Sequence, residues 1–468
     1  MVQRYAWLRY ILIVLAVAVV GFSAAFFVDR KTNLGTYFGW HKTLTGNGID
    51  ASGIQTGSNA STNSTSLITP ILNKLGQVLG IRLSLTATGE EWGIVEGLTM
   101  FRGSPTRTFY GLGPLPADPK VLWRYPNSTS LNGDKPMCSY SEAEGVTKQW
   151  CGTGWTGQPV VWERPDGITE VIFGAYDGAV HFLNAKTGQE TRPSFQTGDL
   201  IKGSVTLDPD GFPLLYFGSR DNKLRILSLD TKNEDGTPAT PVEVWSLNAN
   251  EVKGKWNNDW DGNPVVINDM LFEGGENGWF FVIKLNRSYR EDVSGEKKVS
   301  VTPQIVFKMP GWNDELLKNI GDDMVSIESS VTFYGDRVYF INSGGRVVGL
   351  DISDVKDGVA PIVFDYWVGD DADATMVVDE KGMLYVSVEL ERTKEPAATR
   401  SAELGQFIKL DPTKQNIDKK TGAVLGDPYV WGIHIPKETF SKGGIWATPA
   451  LSGNYFYIPT HTGKLLTV

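Results

Sequence analysis

Two stretches of this sequence share one pattern, and that pattern decides the fold: residues 171–189 read VIFGAYDGAVHFLNAKTGQ, and residues 337–353 read RVYFINSGGRVVGLDIS. In each stretch an aromatic-rich apolar run ends at an Asp-Gly or Gly-Gly turn, and a second apolar run follows at once. This is the pattern of a β-hairpin. Runs of the same kind lie at residues 214–222, 270–278, 383–391 and 454–463.

Each hairpin belongs to a longer repeat. A short strand of small or Pro-containing residues precedes it, and a strand with a large aromatic residue such as Trp245 or Trp431 often follows it. The preceding strands occupy residues 156–161, 202–207, 261–266, 328–333, 373–378 and 446–451. Four short antiparallel strands, repeated along the chain, are typical of propeller blades. We therefore predict an all-β fold, a six-bladed β-propeller.

The last repeat ends at residue 468 within its third strand. The segment KVLWRY (120–125) has the pattern of a fourth strand, with Trp123 in the outer-strand position. We expect this N-terminal strand to complete the last blade and to close the ring, because closure removes the exposed edges of an open array.

The repeat phrases at residues 171–189 and 337–353 resemble those of the pyrroloquinoline-quinone-like (quinoprotein-like) β-propeller family, and residues 100–116 resemble the lead-in to such propellers. The resemblance covers residues 98–468 and implies the propeller fold. The family includes quinoprotein dehydrogenases and non-catalytic scaffolds. Cys138 and Cys151 are not the adjacent cysteine pair that is typical of the alcohol dehydrogenases, which places the chain closer to the scaffold members.

Composition excludes several classes of protein. The chain of 468 residues has 44 Lys and Arg against 54 Asp and Glu, a formal net charge of −10. Because nucleic-acid binding depends on neutralising phosphates, a generally basic nucleic-acid binder is excluded. Two cysteines cannot supply a four-thiolate metal site.

The N-terminus predicts export. Residues 10–28 form an uncharged apolar stretch that is long enough to span a bilayer, preceded by Arg4 and Arg9. We assign residues 1–31 to a transmembrane signal anchor, with a cleaved signal peptide as the alternative. Residues 32–66 are a Gly/Ser/Thr/Asn-rich flexible tether. Residues 67–97 hold a short amphipathic helix and lead-in, and this helix packs either on its own domain or on a partner or membrane surface.

An exported location permits a disulfide between Cys138 and Cys151, which flank a loop of fourteen residues counted inclusively. The alternative is two buried free thiols. Closing such a loop stabilises a fold by about 3 kcal/mol in the chain-entropy account.

The loops that enter the innermost strands of a propeller converge at one end of its channel, and here they predict an acidic, tryptophan-lined face. Its candidate residues are Trp155, Lys202, Trp256, Trp260, Asp322, Asp323, Glu328, Asp370, Asp371, Asp373, Lys442 and Trp446. Tryptophans anchor interfaces and attract cations, and crowded carboxylates attract a cation or a basic partner. The alternative is that the aspartates cap turns and the tryptophans pack between blades.

One loop in this face has a partial metal-binding pattern. Asn257, Asp259 and Asp261 occupy positions one, three and five of a calcium loop, and Gly262 is at position six. Position twelve is Asn268 instead of a bidentate glutamate, so an Asp-Gly turn is the simpler interpretation. We expect no cofactor, and we keep calcium and pyrroloquinoline quinone as the alternatives.

These features favour a membrane-anchored, exported propeller that acts as a binding or scaffolding subunit of a cell-envelope complex, with protein partners and no nucleic acid. The favoured role is non-enzymatic. The alternative is a quinone- or metal-dependent oxidoreductase that uses the same channel-mouth loops.

Overall fold

Six consecutive antiparallel sheets make up most of the computed structural model, as the repeats predict. Sheets 1 to 3 consist of Gly97–Leu98, Val160–Glu163, Thr169–Gly174, Ala179–Asn184 and Phe195–Gln196; Thr206–Leu207, Leu214–Gly218, Lys223–Ser228 and Val242–Asn248; and Val265–Ile267, Met270–Gly274, Trp279–Lys284 and Gln304–Pro310. Sheets 4 to 6 consist of Thr332–Tyr334, Arg337–Ile341, Arg346–Asp351 and Ile362–Trp367; Val377–Val378, Leu384–Ser387, Phe407–Leu410 and Tyr429–Ile433; and Ala450–Ser452, Tyr455–Pro459 and Leu465–Thr467.

Shorter elements connect these sheets. Among the described residues, four two-stranded ribbons pair Cys138–Ala143 with Val146–Cys151, Ser288–Glu291 with Lys297–Ser300, Glu389–Leu390 with Gly443–Gly444, and Asn416–Ile417 with Val424–Leu425. The α-helices are α1 (Asp314–Ile320) and α2 (Ala397–Leu404), and the 3₁₀ turns are Phe101–Gly103, Ala249–Glu251, Val355–Asp357 and Pro412–Lys414. The described part of the chain is therefore all-β in class.

The structure describes residues 85–468 except residues 87, 144, 155–156, 292–294, 419 and 436–441. The predicted anchor, the tether, the amphipathic helix predicted at residues 68–79 and Trp155 lie outside the described residues. Among the helices that are described, none is long and apolar enough to cross a membrane.

Two of the second strands are buried along their whole length, whereas Tyr455–Pro459 of sheet 6 alternates between exposed and buried residues. Every residue of Leu214–Gly218 and of Met270–Gly274 is buried. A strand covered on both faces reads as a continuous apolar run instead of an alternating one, which is why these segments show no polar face. Aromatic pairs fill the space between neighbouring sheets: the rings of Phe280 and Phe340 stack with centroids 4.9 Å apart, and those of Tyr385 and Phe456 lie 4.3 Å apart.

The inner strands of the sheets are joined to one another by hydrogen bonds between backbone N–H groups and hydroxyls. The N–H of Asn263 donates to Oγ of Ser330 (3.0 Å), that of Ser330 to Oγ1 of Thr375 (2.9 Å), and that of Thr375 to Oγ1 of Thr448 (2.9 Å). One cavity of about 330 Å³ is lined by residues of sheets 1, 3, 4, 5 and 6 or of the loops that enter them. The sheets therefore surround a common channel, which is the arrangement of a β-propeller.

The prediction that residues 120–125 complete the last blade is wrong. No strand forms there, and sheet 6 has three strands among the described residues. Trp123 instead lies against sheet 1, where its Nε1 donates to the carbonyl of Ala185 (2.8 Å) and its ring covers Gly188. The Trp123 indole thus packs on an apolar surface and donates a hydrogen bond, while the backbone of residues 120–125 forms no strand.

Residues of the lead-in join the first and last sheets in place of that strand. The guanidinium of Arg102 donates to the carbonyl of Thr448, and its backbone N–H donates to Oε1 of Gln158 (3.3 Å). Gly97 pairs with Trp162 at a φ of +133°, and a Cβ at this position would lie 2.2 Å from the Val161 carbonyl oxygen. Only glycine fits this approach, and it allows sheet 1 to gain a fifth, innermost strand.

Arg107 fixes the lead-in against the channel. Its side chain is fully buried, and its guanidinium donates to the carbonyls of Val331 (2.9 and 2.7 Å) and Phe101 (2.8 Å) and to Oδ1 of Asn263 (2.9 Å). Phe101 and Arg102 also line the 330 Å³ cavity. The lead-in therefore forms part of the channel wall.

Candidate acidic site at the channel entry

In the part of the chain that the structure describes, two groups of three carboxylates lie at the channel entry. We call them the first triad (Asp259, Asp261 and Glu276) and the second triad (Asp371, Asp373 and Glu389). In each triad the carboxylate oxygens lie within 4.8 Å of one another. Two members of each come from the loop before an inner strand, and the glutamate follows the second strand of the same sheet. The antiparallel turn between these strands brings the loop and the glutamate to the same end of the sheet.

The first triad holds the ammonium group of Lys202. The Nζ atom lies 2.9 Å from Oε1 of Glu276 and 3.6 Å from Oδ2 of Asp259, and it contacts Asp261 directly. Arg220 adds a second cation, with Nε 3.1 Å from Oδ2 of Asp259. All three carboxylates of this triad are buried. Because a buried charge is costly unless it is paired, these contacts compensate the triad from within the protein.

The pKa values in the first triad reflect burial as well as this pairing, and burial raises the pKa of Asp261 well above its ordinary value because Lys202 offsets only part of the desolvation. Burial lowers the pKa of Lys202, but the attraction of Asp261 and Glu276 is stronger and raises it well above its ordinary value. Burial raises the pKa of Asp259 to about 7, since its cationic neighbours offset only part of the desolvation. Burial raises the pKa of Glu276 too, but Lys202 reverses this and leaves it below the ordinary value.

The predicted calcium ligands lie in this region. The structure brings Asp259 and Asp261 together, but the Lys202 ammonium lies against both of them. Asn257 turns its Nδ2 toward Glu276 and donates to Oε2 at 2.7 Å. In this structure an ammonium group therefore stands where the calcium loop would hold its cation.

The second triad is joined by Glu328 and Glu391. Glu328 and Asp373 share a hydrogen bond, as do Glu389 and Glu391. Burial, together with like charges nearby, raises the pKa of Asp371 to about 7 and the pKa values of Asp373 and Glu389 well above the ordinary range. A carboxyl–carboxyl hydrogen bond needs a proton, so the raised pKa values and the shared hydrogen bonds agree.

Two cavities reach the second triad. Asp373, Glu328 and Trp446 line the 330 Å³ channel cavity. Asp371 and Glu391 line a neighbouring cavity of about 190 Å³. Asp371 and Asp373 are only partly buried, in contrast to the whole first triad. The second triad is therefore the more accessible of the two, while the first triad reaches the channel cavity only through the buried Asp261.

Trp446 forms an aromatic wall beside these acids. It is half-buried, its ring centroid lies 4.4 Å from that of His461, and the Nζ of Lys442 lies 5.2 Å from its ring. Lys442 also pairs with Glu391 at 2.5 Å. The sequence placed both Trp446 and Lys442 at this face, and the structure brings them together.

Not every residue predicted for the acidic face lies on it. Trp260 is fully buried, packs on Phe281 with centroids 5.5 Å apart, and donates from Nε1 to the carbonyl of Asn222 (3.1 Å). Its inclusion in a ligand-binding face is therefore corrected, because it is a core residue between sheets 2 and 3. Trp256, by contrast, is 54% exposed, with a φ of +67°.

The expected crowding of five aspartates is also corrected. Asp322 pairs with Arg392 at 3.0 Å, and Asp323 pairs with Lys255 at 2.8 Å. Asp370 is fully buried and accepts hydrogen bonds from the backbone and from Oγ of Ser401, so it fixes the loop that carries its neighbours. Of the five, the structure brings Asp371 and Asp373 together.

Five functional residues were missed by sequence reasoning: Glu276, Glu389, Glu391, Arg220 and Arg392. Each stands beyond a second strand or in the turn that follows it, away from the loops that were searched. A signal was present for Glu276 and Glu389, since each lies six positions after the methionine that begins the second strand pattern of its repeat. Comparing the repeats position by position would have found them.

The predicted cysteine pair lies close to this region. A disulfide joins Cys138 to Cys151 across the two-stranded ribbon. On that ribbon, Trp150 packs on Tyr176 with centroids 5.6 Å apart, and the guanidinium of Arg220 lies 6.0 Å from the Trp150 ring. The ribbon therefore touches the arginine that supports the first triad.

Comparison with known proteins gives structural likenesses at low identity. No family model and no curated protein matches the chain. BamB from Moraxella catarrhalis is similar at 12% identity and a TM-score of 0.35, over 69% of this chain and 88% of that chain. The computationally designed Ika8 protein is similar at 11% identity and a TM-score of 0.38, over 72% of this chain and 83% of that chain. The propeller fold therefore follows from the arrangement of the six sheets and not from these likenesses.

Proposed function

We propose that this protein is a membrane-anchored, exported β-propeller that binds a protein partner through the acidic entry of its channel, as a binding or scaffolding subunit of a cell-envelope complex. The observation that carries the proposal is the second triad. Among the described residues, Asp371, Asp373 and Glu389 make no ion pair with a lysine or arginine, although they lie beside Glu328 and open into two cavities.

Such a cluster costs stability in the isolated protein. Like charges in a partly buried site repel, and the raised pKa values record that cost. Functional sites are where such costs are retained. A partner that brings positive charge to the entry would relieve the repulsion, and the loops that carry the cluster are held on a rigid scaffold.

The residues do not fit pyrroloquinoline quinone as a cofactor. That quinone carries carboxylates of its own, while the channel cavity is lined by Asp261, Glu328 and Asp373, with Arg102 as the only cation among its described lining residues. Bringing anionic groups into this lining would add repulsion. We therefore derive no redox step for this site.

The test uses the full-length chain, extracted with detergent from its own cell envelope by an affinity tag. We expect stoichiometric protein partners to copurify with the wild type and to be lost with Asp373→Asn, while the exposed Asp323→Asn serves as the matched control and retains them. A quinone absorbance that bleaches when an alcohol or a sugar is added would contradict the binding role. Equal partner recovery with the wild type and with Asp373→Asn would show that the acidic entry is not the partner-binding surface.

Export and anchoring have a separate readout. We expect the chain to remain with membranes after alkaline extraction and the propeller to be cut by protease added outside the cytoplasmic membrane. A chain released by extraction, or protected from that protease, would contradict this part of the proposal.

A further inference from the structure

The two triads occupy the same positions in the repeat. In each, two aspartates separated by one residue stand before an inner strand, and the last one precedes that strand by four positions, counted to Val265 or Val377. In each, the glutamate follows the methionine of the hairpin (Met270 or Met383) by six positions. The two sheets therefore present their carboxylates from equivalent backbone positions, and the first triad is an internal comparison for the second.

The first triad shows which group this geometry accepts. Lys202 comes from the preceding repeat, and its ammonium contacts all three carboxylates. An ammonium has three donors and suits a site formed by three converging carboxylates. The triad geometry of this fold is thus one that holds a primary ammonium ion.

The preceding repeat supplies no such cation to the second triad. Lys202 stands four positions before the inner strand that begins at Thr206, and Glu328 stands four positions before the inner strand that begins at Thr332. The residue equivalent to the inserted lysine is therefore a glutamate. It directs its carboxylate to Asp373 and shares a hydrogen bond with it. Where the first triad gains a positive charge from its neighbour, the second gains another carboxylate.

The second triad is also the less buried of the two, since Asp371 and Asp373 are only partly buried, whereas all three carboxylates of the first triad are buried. Asp373, Glu328 and Trp446 line a cavity of about 330 Å³, which has room for a long aliphatic side chain. Trp446 offers that side chain an apolar surface, since lysine buries its methylene stem while its charged end finds carboxylates.

We propose that the second triad, together with Glu328, binds the ammonium group of a lysine side chain that a partner protein inserts into the channel from the entry side. The inserted lysine would occupy the place that Lys202 occupies in the first triad. This inference deepens the binding role proposed above and rests on it, and it names the chemical group that the entry recognises.

The test measures binding of a lysine probe to the full-length chain in detergent by isothermal titration calorimetry. The probe is Nα-acetyl-lysine methylamide, and the uncharged control is Nα-acetyl-norleucine methylamide. We expect the lysine probe to bind and the norleucine probe not to bind. Asp373→Asn should weaken the lysine probe at least tenfold, while Asp323→Asn, which changes an exposed acid outside the triad, should leave its affinity unchanged.

A second variant builds the internal cation of the first triad into the second. Glu328→Lys should abolish binding of the lysine probe and raise the thermal midpoint, because the new ammonium fills the site from within. If Glu328→Lys fails to fold, Asp373→Asn still decides the outcome. Absence of probe binding to the wild type, or equal binding to Asp373→Asn, would overturn the inference.

Calcium chloride provides the last arm of the test. Calcium binding that excludes the lysine probe and is lost in Asp373→Asn would overturn the ammonium assignment in favour of a metal ion. The inference and the proposed function fail separately. If partner capture depends on Asp373 but the lysine probe does not bind, the binding role is retained and the assignment of a lysine as the bound group is overturned.

Discussion

Replacing Lys202 with methionine removes the cation from the first triad and leaves its apolar stem. The variant would keep Asp259, Asp261 and Glu276 buried without the ammonium that contacts them. Removing one partner of a buried ion pair typically costs about 3–5 kcal/mol, because the other charge stays buried and uncompensated. Arg220 still pairs with Asp259, so we expect the lower part of this range.

The assay is urea unfolding of the full-length chain in detergent, followed by tryptophan fluorescence. Lys255→Met is the matched control, because Lys255 pairs with the exposed Asp323 and such surface pairs contribute about 0–1 kcal/mol. The loss in Lys202→Met should shrink from pH 8 to pH 5, since protonation neutralises the orphaned carboxylates. A loss no larger than that of Lys255→Met, or a loss that does not depend on pH, would refute the assigned role of Lys202.

Three further predictions concern stability. Replacing Cys138 and Cys151 with serine should lower the free energy of unfolding by about 3 kcal/mol. A reducing agent should lower the free energy of unfolding of the wild type by the same amount and leave that of the variant unchanged. Arg107→Met should cost at least about 3 kcal/mol in urea unfolding, because several buried acceptors each lose a donor worth about 1–3 kcal/mol; an unchanged midpoint would contradict the lead-in contacts. Asp371→Asn should be as stable as the wild type at pH 4 and more stable at pH 8. Burial raises the pKa of Asp371 to about 7, so the folded wild type holds the extra proton and loses stability as the pH rises from about 4 to 7; parallel pH profiles would argue against that assignment.

The sheets could be predicted from the sequence because each repeat is short, apolar and bounded by turn residues. The fourth strands around Trp245, Phe307, Phe364 and Trp431 lie where their aromatic residues indicate. The same pattern failed at Trp123. An aromatic residue between apolar neighbours indicates burial, but it does not say which sheet supplies the surface, and here a carbonyl acceptor on sheet 1 decides the position.

The site could be predicted in part. The loop carboxylates Asp259, Asp261, Asp371 and Asp373 converge at the channel entry, since loops before inner strands must meet there. Their pairing could not be predicted, because it depends on which neighbouring side chain reaches across the gap between sheets. Trp260 shows the limit most clearly: in sequence it lies between two of these aspartates, yet its side chain points into the core.

Site-specific photo-crosslinking tests the central claim most directly, which is that the channel entry is the partner-binding surface. A photo-reactive residue replaces the exposed Trp256 at the entry. Another replaces Leu112 of the lead-in, which is 87% exposed and lies two residues after Tyr110, whose hydroxyl accepts from the N–H of Leu451 within the inner strand Ala450–Ser452. In native membranes we predict one strong crosslinked partner from position 256, lost when Asp373→Asn is added, and no such product from position 112. Equal crosslinks from both positions, or a crosslink at position 256 that persists with Asp373→Asn, would contradict the account.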